Sequence, residues 1–265
     1  MFFSVKLLFT LLKRTPSLLV TIFLFISVFL LSFLLLGCFK VPSTYSSVYL
    51  VKYQFNQTNP MYSLIAKSFT ESNSTVAYDK LTVKANYLYV CMQLNSTLNC
   101  QSRTNVLHYK DLTEVKLYTT SSSSTPNTIN PIVLASKFST DIIHPYLLII
   151  TIILAIGLFL MVLYGCVPSL PYKTKITKIN LVLSLILTLF SGLTAIWGHI
   201  SSKSGKELVE IASMNIIQAH IGKKAQALHW TPFSFFVLVN LMLVWLYVRE
   251  VKGILKGNET AMGKA

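Results

Sequence analysis

Four long apolar segments without Asp, Glu, Lys or Arg constrain this 265-residue sequence more than any other feature. The segments are 17–37, 146–166, 180–200 and 231–248. A transmembrane helix needs about 20 apolar residues, with a range of about 17 to 25, and each segment reaches that range. The sequence therefore predicts an α-helical membrane protein built as a bundle of four transmembrane helices.

The charge of the chain agrees with this class. Only 12% of the residues are charged, although the formal net charge is +14. Soluble domains carry about twice that charged fraction. The basic residues are spread over many short segments, whereas a nucleic-acid surface needs them clustered on one face. We therefore expect membrane lipid around the chain and no nucleic-acid partner.

Basic flanks predict the orientation of the four segments. The flanks 1–16, 167–179 and 249–265 lie on one side if all four segments span, and the positive-inside rule makes that side cytoplasmic. Both termini are then cytoplasmic, and the loops 38–145 and 201–230 are extracellular. The second loop departs mildly from the rule because it carries four lysines. These are Lys203, Lys206, Lys223 and Lys224.

N-glycosylation sequons supply an independent indication of orientation. Three of them begin at Asn56, Asn73 and Asn95 in the 38–145 loop, and a fourth begins at Asn258 in the tail. Sequons are modified on surface loops that face the secretory lumen. We therefore expect glycans in the 38–145 loop and none at Asn258.

The 38–145 loop is too long for a simple connection and predicts a small β-rich domain. Residues 81–92 alternate between apolar and polar side chains, which indicates one strand. Residues 47–55 are rich in Val, Tyr and Phe and indicate another strand. Residues 105–118 are a weaker candidate for one strand or a pair of strands, and 121–130 form a polar linker that leads back to the membrane.

The four cysteines differ in their surroundings. Cys91 and Cys100 share the extracellular loop at short separation, so we expect a disulfide, although a zinc site with His108 is a rival interpretation. Cys38 is at the outer end of the first segment. Its preceding residues also resemble a bacterial lipoprotein cleavage box, in which case a lipid on Cys38 would replace the first span. Cys166 lies at the inner boundary, on the reducing side.

The 201–230 loop shows a helical repeat of apolar residues between Leu208 and Ala219. The repeat predicts a partly helical loop. The helix is either amphipathic on the membrane surface, an outward extension of the third span, or packed on the extracellular domain. Trp197 and Trp230 bracket the loop and are expected at the membrane interface.

Motifs for catalysis and cofactor binding are missing from the sequence. It has no Gly-rich phosphate loop, no G-x-S-x-G, no H-E-x-x-H and no C-x-x-C. A pump or transporter places ionisable residues inside the membrane, whereas these segments offer hydroxyls and amides that suit helix–helix hydrogen bonds. We predict a non-enzyme without a cofactor or metal. A pH-sensing or weak metal cluster remains conceivable at three histidines near the second loop. These are His199, His220 and His229.

Several stretches of the sequence are similar to a known family. They resemble the fungal calcium regulators and membrane fusion proteins that mating pheromone induces, which are claudin-like four-span proteins. The stretches are Leu36-Gly-Cys-Phe39, Val48-Tyr-Leu-Val-Lys-Tyr53, Leu81–Cys91 with Cys100, and Gly222…Ala225…Leu228-His-Trp230. The family usually has a G-x-x-G-x-C pattern that ends at the first cysteine, and this chain has neither glycine. Their absence is typical of a divergent member or of a relative from the cell cortex.

The resemblance implies a function that composition and spacing do not. It implies a plasma-membrane protein that regulates calcium influx and promotes cell-cell membrane fusion during mating. It would act through calcium-channel or fusion-machinery partners, or as a homo-oligomer. A claudin-like organiser of the cell cortex, or an adhesion protein, is the alternative.

Overall fold

A computed structural model describes residues 2–39, 43–71, 78–95, 97–113, 115–117, 127–165 and 173–262. In these ranges the α-helices are α1 (Phe2–Leu35), α2 (Ser43–Ser46), α3 (Tyr62–Glu71), α4 (Pro131–Lys137), α5 (Tyr146–Gly165), α6 (Lys173–Ala212) and α7 (Lys223–Met262). The strands are β1 (Val51–Phe55), β2 (Thr82–Ala85), β3 (Tyr89–Leu94), β4 (Thr97–Ser102), β5 (Val115–Leu117), β6 (Asn127–Ile129) and β7 (Ile217–Ile221).

Four helices of the described chain are long and apolar enough to cross a membrane. The stretches that meet this condition are Pro16–Leu35, Tyr146–Gly165, Lys175–Ala212 and Lys223–Gly253. The chain is thus a multi-pass membrane protein with the four-helix architecture predicted from its sequence. Helix α1 ends two residues before the predicted limit of 37, whereas α6 and α7 continue beyond the predicted segments. A 38-residue helix is about 57 Å long, so α6 exceeds a hydrocarbon core of about 30 Å.

The first of two compact units comprises residues 1–32, 147–195 and 229–265. Aromatic stacking joins two of its helices, because the rings of Phe23 and Phe235 lie 5.1 Å apart. The hydroxyls of Thr151 and Thr194 lie 3.1 Å apart and link α5 to α6. Thr188 and Thr194 also donate to carbonyls of their own helix, as threonines in apolar surroundings usually do. Hydroxyls therefore contribute to helix packing, as expected from the sequence.

The second unit comprises residues 33–146 and 196–228 and contains an antiparallel sheet in the order β4-β3-β2-β1-β7. Strand β1 shows why one face is buried, since Val51, Tyr53 and Phe55 are inaccessible while the residues between them are half-exposed. The buried face packs against α4 and its π-helical continuation Phe138–Ile142. Burial of one face of a sheet is what makes its residues alternate in sequence.

The first correction to the sequence prediction concerns residues 81–92, which form two strands. Strands β2 and β3 are antiparallel partners, and the backbone N–H of Asn86 donates to the carbonyl of Tyr89 at 3.0 Å to close the turn between them. The turn contains neither Gly nor Pro, so it carries no strong turn signal. The predicted strand at 105–118 is also wrong in its first part, because Asn105–Thr113 is a 3₁₀-helix.

The second correction concerns the helix predicted to reach Ala219. Helix α6 continues beyond the predicted third span, in agreement with one of the three interpretations, but it ends at Ala212. Met214 and Asn215 then adopt positive φ angles of 50° and 60°, and such left-handed residues terminate helices. The chain therefore turns and enters β7, which pairs with β1.

Candidate functional site: the disulfide-tied sheet

A disulfide joins two neighbouring strands of the sheet. Cys91 in β3 lies directly opposite Cys100 in β4, and their sulfurs are bonded. The predicted disulfide is confirmed, and the rival zinc site fails because a bonded thiol cannot ligate the metal. Closing a loop of this size stabilises the folded state by about 2–3 kcal/mol in the chain-entropy treatment.

Asn86, at the turn before the disulfide, connects the sheet to the end of α1. Its side chain is completely buried, and its Nδ2 donates a hydrogen bond to the carbonyl of Leu34 at 2.8 Å. The last carbonyls of a helix have no partner within the helix, so this amide satisfies one of them. The turn is thereby held against the last residues of α1, which belong to the same compact unit as the sheet.

The turn is also held from beneath the sheet. The hydroxyl of Ser139 donates to the carbonyl of Asn86 at 2.6 Å, and Arg103 donates from Nη1 to the carbonyl of Ser139 at 3.0 Å. Tyr87 is almost entirely buried in the same core, and burial raises the pKa of its phenol. A turn whose first two residues, Asn86 and Tyr87, are buried therefore precedes the first cysteine of the disulfide.

Cys38 lies against the disulfide without joining it. Its side chain is fully buried and its φ is 64°, while its carbonyl oxygen is 3.5 Å from the Sγ of Cys91. Burial raises the pKa of the Cys38 thiol to about 12, against a smaller lowering by the positive charge of Lys84. A buried Sγ leaves no room for a lipid, so the lipoprotein interpretation of Cys38 does not fit this fold.

The second loop is attached to the sheet by β7. Gly222 follows this strand, and its N–H donates to the carbonyl of Leu50 at 2.9 Å. A Cβ on Gly222 would lie 1.7 Å from the carbonyl oxygen of Tyr49, so only glycine permits this approach. Sequence reasoning missed β7. The signal was present in the alternation of apolar and polar residues in Ile217-Gln-Ala-His-Ile221, and Ile217 and Ala219 are indeed buried.

The predicted glycosylation sites differ in their exposure. Asn95 is exposed in the turn between β3 and β4 with φ 51°. Asn56 is half-buried, and its Nδ2 donates to the carbonyl of Asn215 at 3.0 Å. Asn73 lies outside the described residues. Of Asn56 and Asn95, the two sequons of this loop that the structure describes, Asn95 is the one whose side chain is exposed.

The remaining predicted site residues do not form one centre. Trp197 is 50% exposed on α6, and Trp230 is 39% exposed on α7, which is compatible with their predicted place at a membrane interface. Of the three histidines near the second loop, His229 is buried and His220 is half-exposed. Within the described ranges, no three His, Cys, Asp or Glu side chains are grouped so that they could hold a metal.

Comparisons with known proteins agree with this architecture. Residues 67–249 match the family described as Ca²⁺ regulator and membrane fusion protein Fig1. The chain is 37% identical over 261 residues to the Factor-induced gene 1 protein of Saccharomyces cerevisiae, in an alignment that covers 91% of this chain and 87% of the relative. The matched region contains the disulfide, β7, two of the four candidate spans and most of a third, Lys223–Gly253.

Proposed function

The chain belongs to the Fig1 family of Ca²⁺ regulators and membrane fusion proteins, and on that premise we propose that it regulates calcium influx and promotes cell-cell membrane fusion during fungal mating. The observation that carries the proposal is the family match over 67–249 together with 37% identity to a yeast relative. The alternative of a cell-cortex organiser has no comparable support.

The protein acts at the plasma membrane with both termini in the cytoplasm. Basic flanks on 1–16 and 249–265 support this orientation. The disulfide between Cys91 and Cys100 supports it too, because disulfides persist in oxidising surroundings. The sheet is then extracellular and faces the partner cell.

The protein acts without catalysis, through partners or through its own assembly. Its candidate spans expose large apolar side chains such as Phe29, Leu189 and Leu241, which suits contact with lipid or with another helix. A cation path through a single chain needs ligands that replace its water, and the four apolar segments contain no Asp or Glu. Calcium-channel subunits, fusion machinery or further copies of this chain are the partners that fit.

A complementation experiment tests the proposal. The chain is expressed in a yeast strain that lacks the Factor-induced gene 1 protein, and pheromone-stimulated ⁴⁵Ca²⁺ uptake and the frequency of cell fusion are measured. We expect the chain to restore both. The Cys91→Ser variant should restore neither, because loss of the disulfide destabilises the sheet and retains the protein in the secretory pathway. A matched Cys166→Ser variant should behave like the wild type.

Normal uptake and fusion in the strain without any Fig1 protein would contradict the function. Full activity of Cys91→Ser at the cell surface would contradict the role of the sheet. Reconstitution of the purified chain in liposomes then separates two mechanisms, since calcium flux through the purified chain would indicate a pore and no flux would indicate regulation of a partner.

A further inference from the structure

The face of the sheet opposite the buried core carries a row of basic side chains. Residues directly opposite each other in antiparallel strands point to the same face. Lys52 in β1 is paired with Lys84 in β2 and, on its other side, with His220 in β7. Two lysines and a histidine therefore stand side by side across three strands.

This row forms part of the wall of a cavity of about 880 Å³ within the second unit. Five lysines and one histidine line it, and none of the described lining residues is Asp or Glu. The six basic residues are Lys52, Lys80, Lys84, Lys223, Lys224 and His220. Cavities of about 300–1,000 Å³ are the size that holds a small ligand.

The fold keeps these charges together at a cost. Like charges directly opposite in neighbouring strands destabilise a sheet. The pKa of Lys52 is lowered by burial and by the charge of Lys84. The pKa of His220 is lowered by burial and by the charges of Lys52 and Lys206, against an opposing effect of Glu210. Arrangements that conflict with stability are expected at functional sites.

Two of the lysines make hydrogen bonds to neutral partners, and Nζ of Lys84 also lies 5.8 Å from the centre of the Tyr49 ring, which is neutral too. Lys84 donates from Nζ to the amide oxygen of Gln93 at 3.0 Å, and Lys224 donates from Nζ to the hydroxyl of Ser47 at 3.1 Å. Both acceptors are neutral. Lys84 and Lys224 are therefore oriented by neutral groups that carry no opposing charge.

We propose that this cavity is an anion site that binds a phosphate-bearing group with two or more negative charges. Lysine ammonium groups bind phosphate oxygens as point charges, and several of them converge on one space here. Calcium is excluded as the ligand of this cavity, since its lining is positive. The proposal goes beyond the regulation of calcium influx and does not depend on it.

The same site gives a physical reason for an anomaly in the sequence. Lys223 and Lys224 belong to the loop that departs from the positive-inside rule. Both are exposed at the first turn of α7 and line the cavity. The positive charges of Lys223 and Lys224 then serve to bind an anion and do not indicate a cytoplasmic loop.

Binding is measured on the full chain in phosphatidylcholine nanodiscs with two probes. The first is inorganic pyrophosphate, titrated by calorimetry at about 0.1 M NaCl, where long-range charge effects are screened beyond about 10 Å. The second is a phosphatidylcholine vesicle that contains phosphatidic acid, with a pure phosphatidylcholine vesicle as its reference. Displacement of pyrophosphate by the acidic vesicles identifies a lipid headgroup as the source of the phosphate, whereas pyrophosphate binding without displacement identifies a soluble phosphate ester.

The decisive variant is Lys52→Gln/Lys84→Gln. We expect its affinity for the bound probe to fall about tenfold or more, the factor that loss of one charged hydrogen bond produces. Its melting temperature should not fall, because the substitution removes a repulsive pair. Lys52→Arg/Lys84→Arg should keep most of the affinity. Should the decisive variant not fold, Lys223→Gln/Lys224→Gln at the exposed rim replaces it, with the same expected loss.

The matched control removes the same charge elsewhere in the second unit. Lys137→Gln/Lys203→Gln changes two exposed lysines that do not line the cavity, and we expect its affinity to change by about twofold at most. All titrations are repeated in an Asn95→Gln background, because Asn95 lines the cavity and a glycan there could cover it. The proposal is overturned if neither probe binds the wild type in either background, or if the control loses as much affinity as the decisive variant.

Discussion

The turn before Cys91 shows why this chain can do without the glycines of its family's pattern. The family's G-x-x-G-x-C pattern, counted back from Cys91, places its glycines at Asn86 and Tyr89. Neither residue has a positive φ in this structure, so the turn requires no glycine. Asn86 instead provides a buried amide that reaches the carbonyl of Leu34. The chain therefore departs from the family pattern at a turn whose backbone does not need glycine.

The first residue-scale prediction concerns Gly222→Ala. The added methyl would lie 1.7 Å from the carbonyl oxygen of Tyr49, so the backbone after β7 must move. Overpacking of this kind costs about 1–3 kcal/mol, and we expect a lower melting temperature of the purified protein in detergent. Gly157→Ala is the control, since a Cβ there meets no atom within 4 Å. Equal melting of the two variants would contradict the close approach.

The second residue-scale prediction concerns the reactivity of Cys38. Thiolate is the reactive form, and burial raises the pKa of this thiol to about 12. In a Cys166→Ser background, maleimide should label the native protein slowly at every pH from 7 to 9 and label the denatured protein at once. Because the folded pKa is raised above the ordinary value, ionisation of Cys38 favours the unfolded state only in alkaline solution. Rapid native labelling at pH 8 would show that Cys38 is accessible.

At the scale of elements, the sheet is completed by a strand from the distant second loop. Gln54 in β1 and Gln218 in β7 are register partners, and Nε2 of Gln54 donates to Oε1 of Gln218 at 3.3 Å. Both helical and alternating periods fit the residues of this loop. The helix stops at Ala212 because the next turn takes left-handed φ angles. Pairing with β1 then makes Ile217–Ile221 a strand.

Cross-linking tests this pairing. The double variant Gln54→Cys/Gln218→Cys should form a disulfide, because paired residues of neighbouring strands lie within the Cα separation that a disulfide spans. With a protease site inserted at 167–172, the two halves should stay joined after cleavage until a reductant is added. Gln54→Cys/Ala219→Cys is the control, since a shift of one residue points the side chain to the opposite face. Equal cross-linking of both pairs would contradict the register.

At the scale of the whole molecule, the four candidate spans and their flanks determine which side each loop occupies. The disulfide and the exposed Asn95 lie in the same loop, and Asn258 lies in the last helix, α7. The proposed topology places an odd number of spans between these two sequons, so it predicts that they face opposite sides of the membrane. Glycosylation therefore reports the orientation of the entire chain.

Glycan mapping tests the orientation. Removal of N-glycans by endoglycosidase should increase the gel mobility of the wild type. In Asn95→Gln the increase should be smaller by the contribution of one glycan, because the Asn95 side chain is exposed in a turn. Asn258→Gln should leave the change intact, since the proposed topology places the tail in the cytoplasm. A smaller mobility increase in Asn258→Gln than in the wild type would contradict the proposed topology.

The sequence by itself determined the properties that depend on neighbouring residues and on the solvent. Uncharged apolar segments such as 146–166 predict spans because lipid offers the backbone no hydrogen-bond partners, and two close cysteines in one loop predict their own bond. These inferences need no knowledge of distant contacts. They cover the four-helix class, the β-rich loop and the disulfide.

Only the tertiary structure decided which distant segments meet. Nothing local in residues 217–221 specifies β1 as the partner of β7, because strand pairing across 164 positions is set by the fold. The same pairing brings His220 beside Lys52, and β2 brings Lys84 to the other side of Lys52. In the sequence these residues are isolated charges in separate loops. Their convergence on one cavity is a property of the sheet, since antiparallel register places opposite residues on one face.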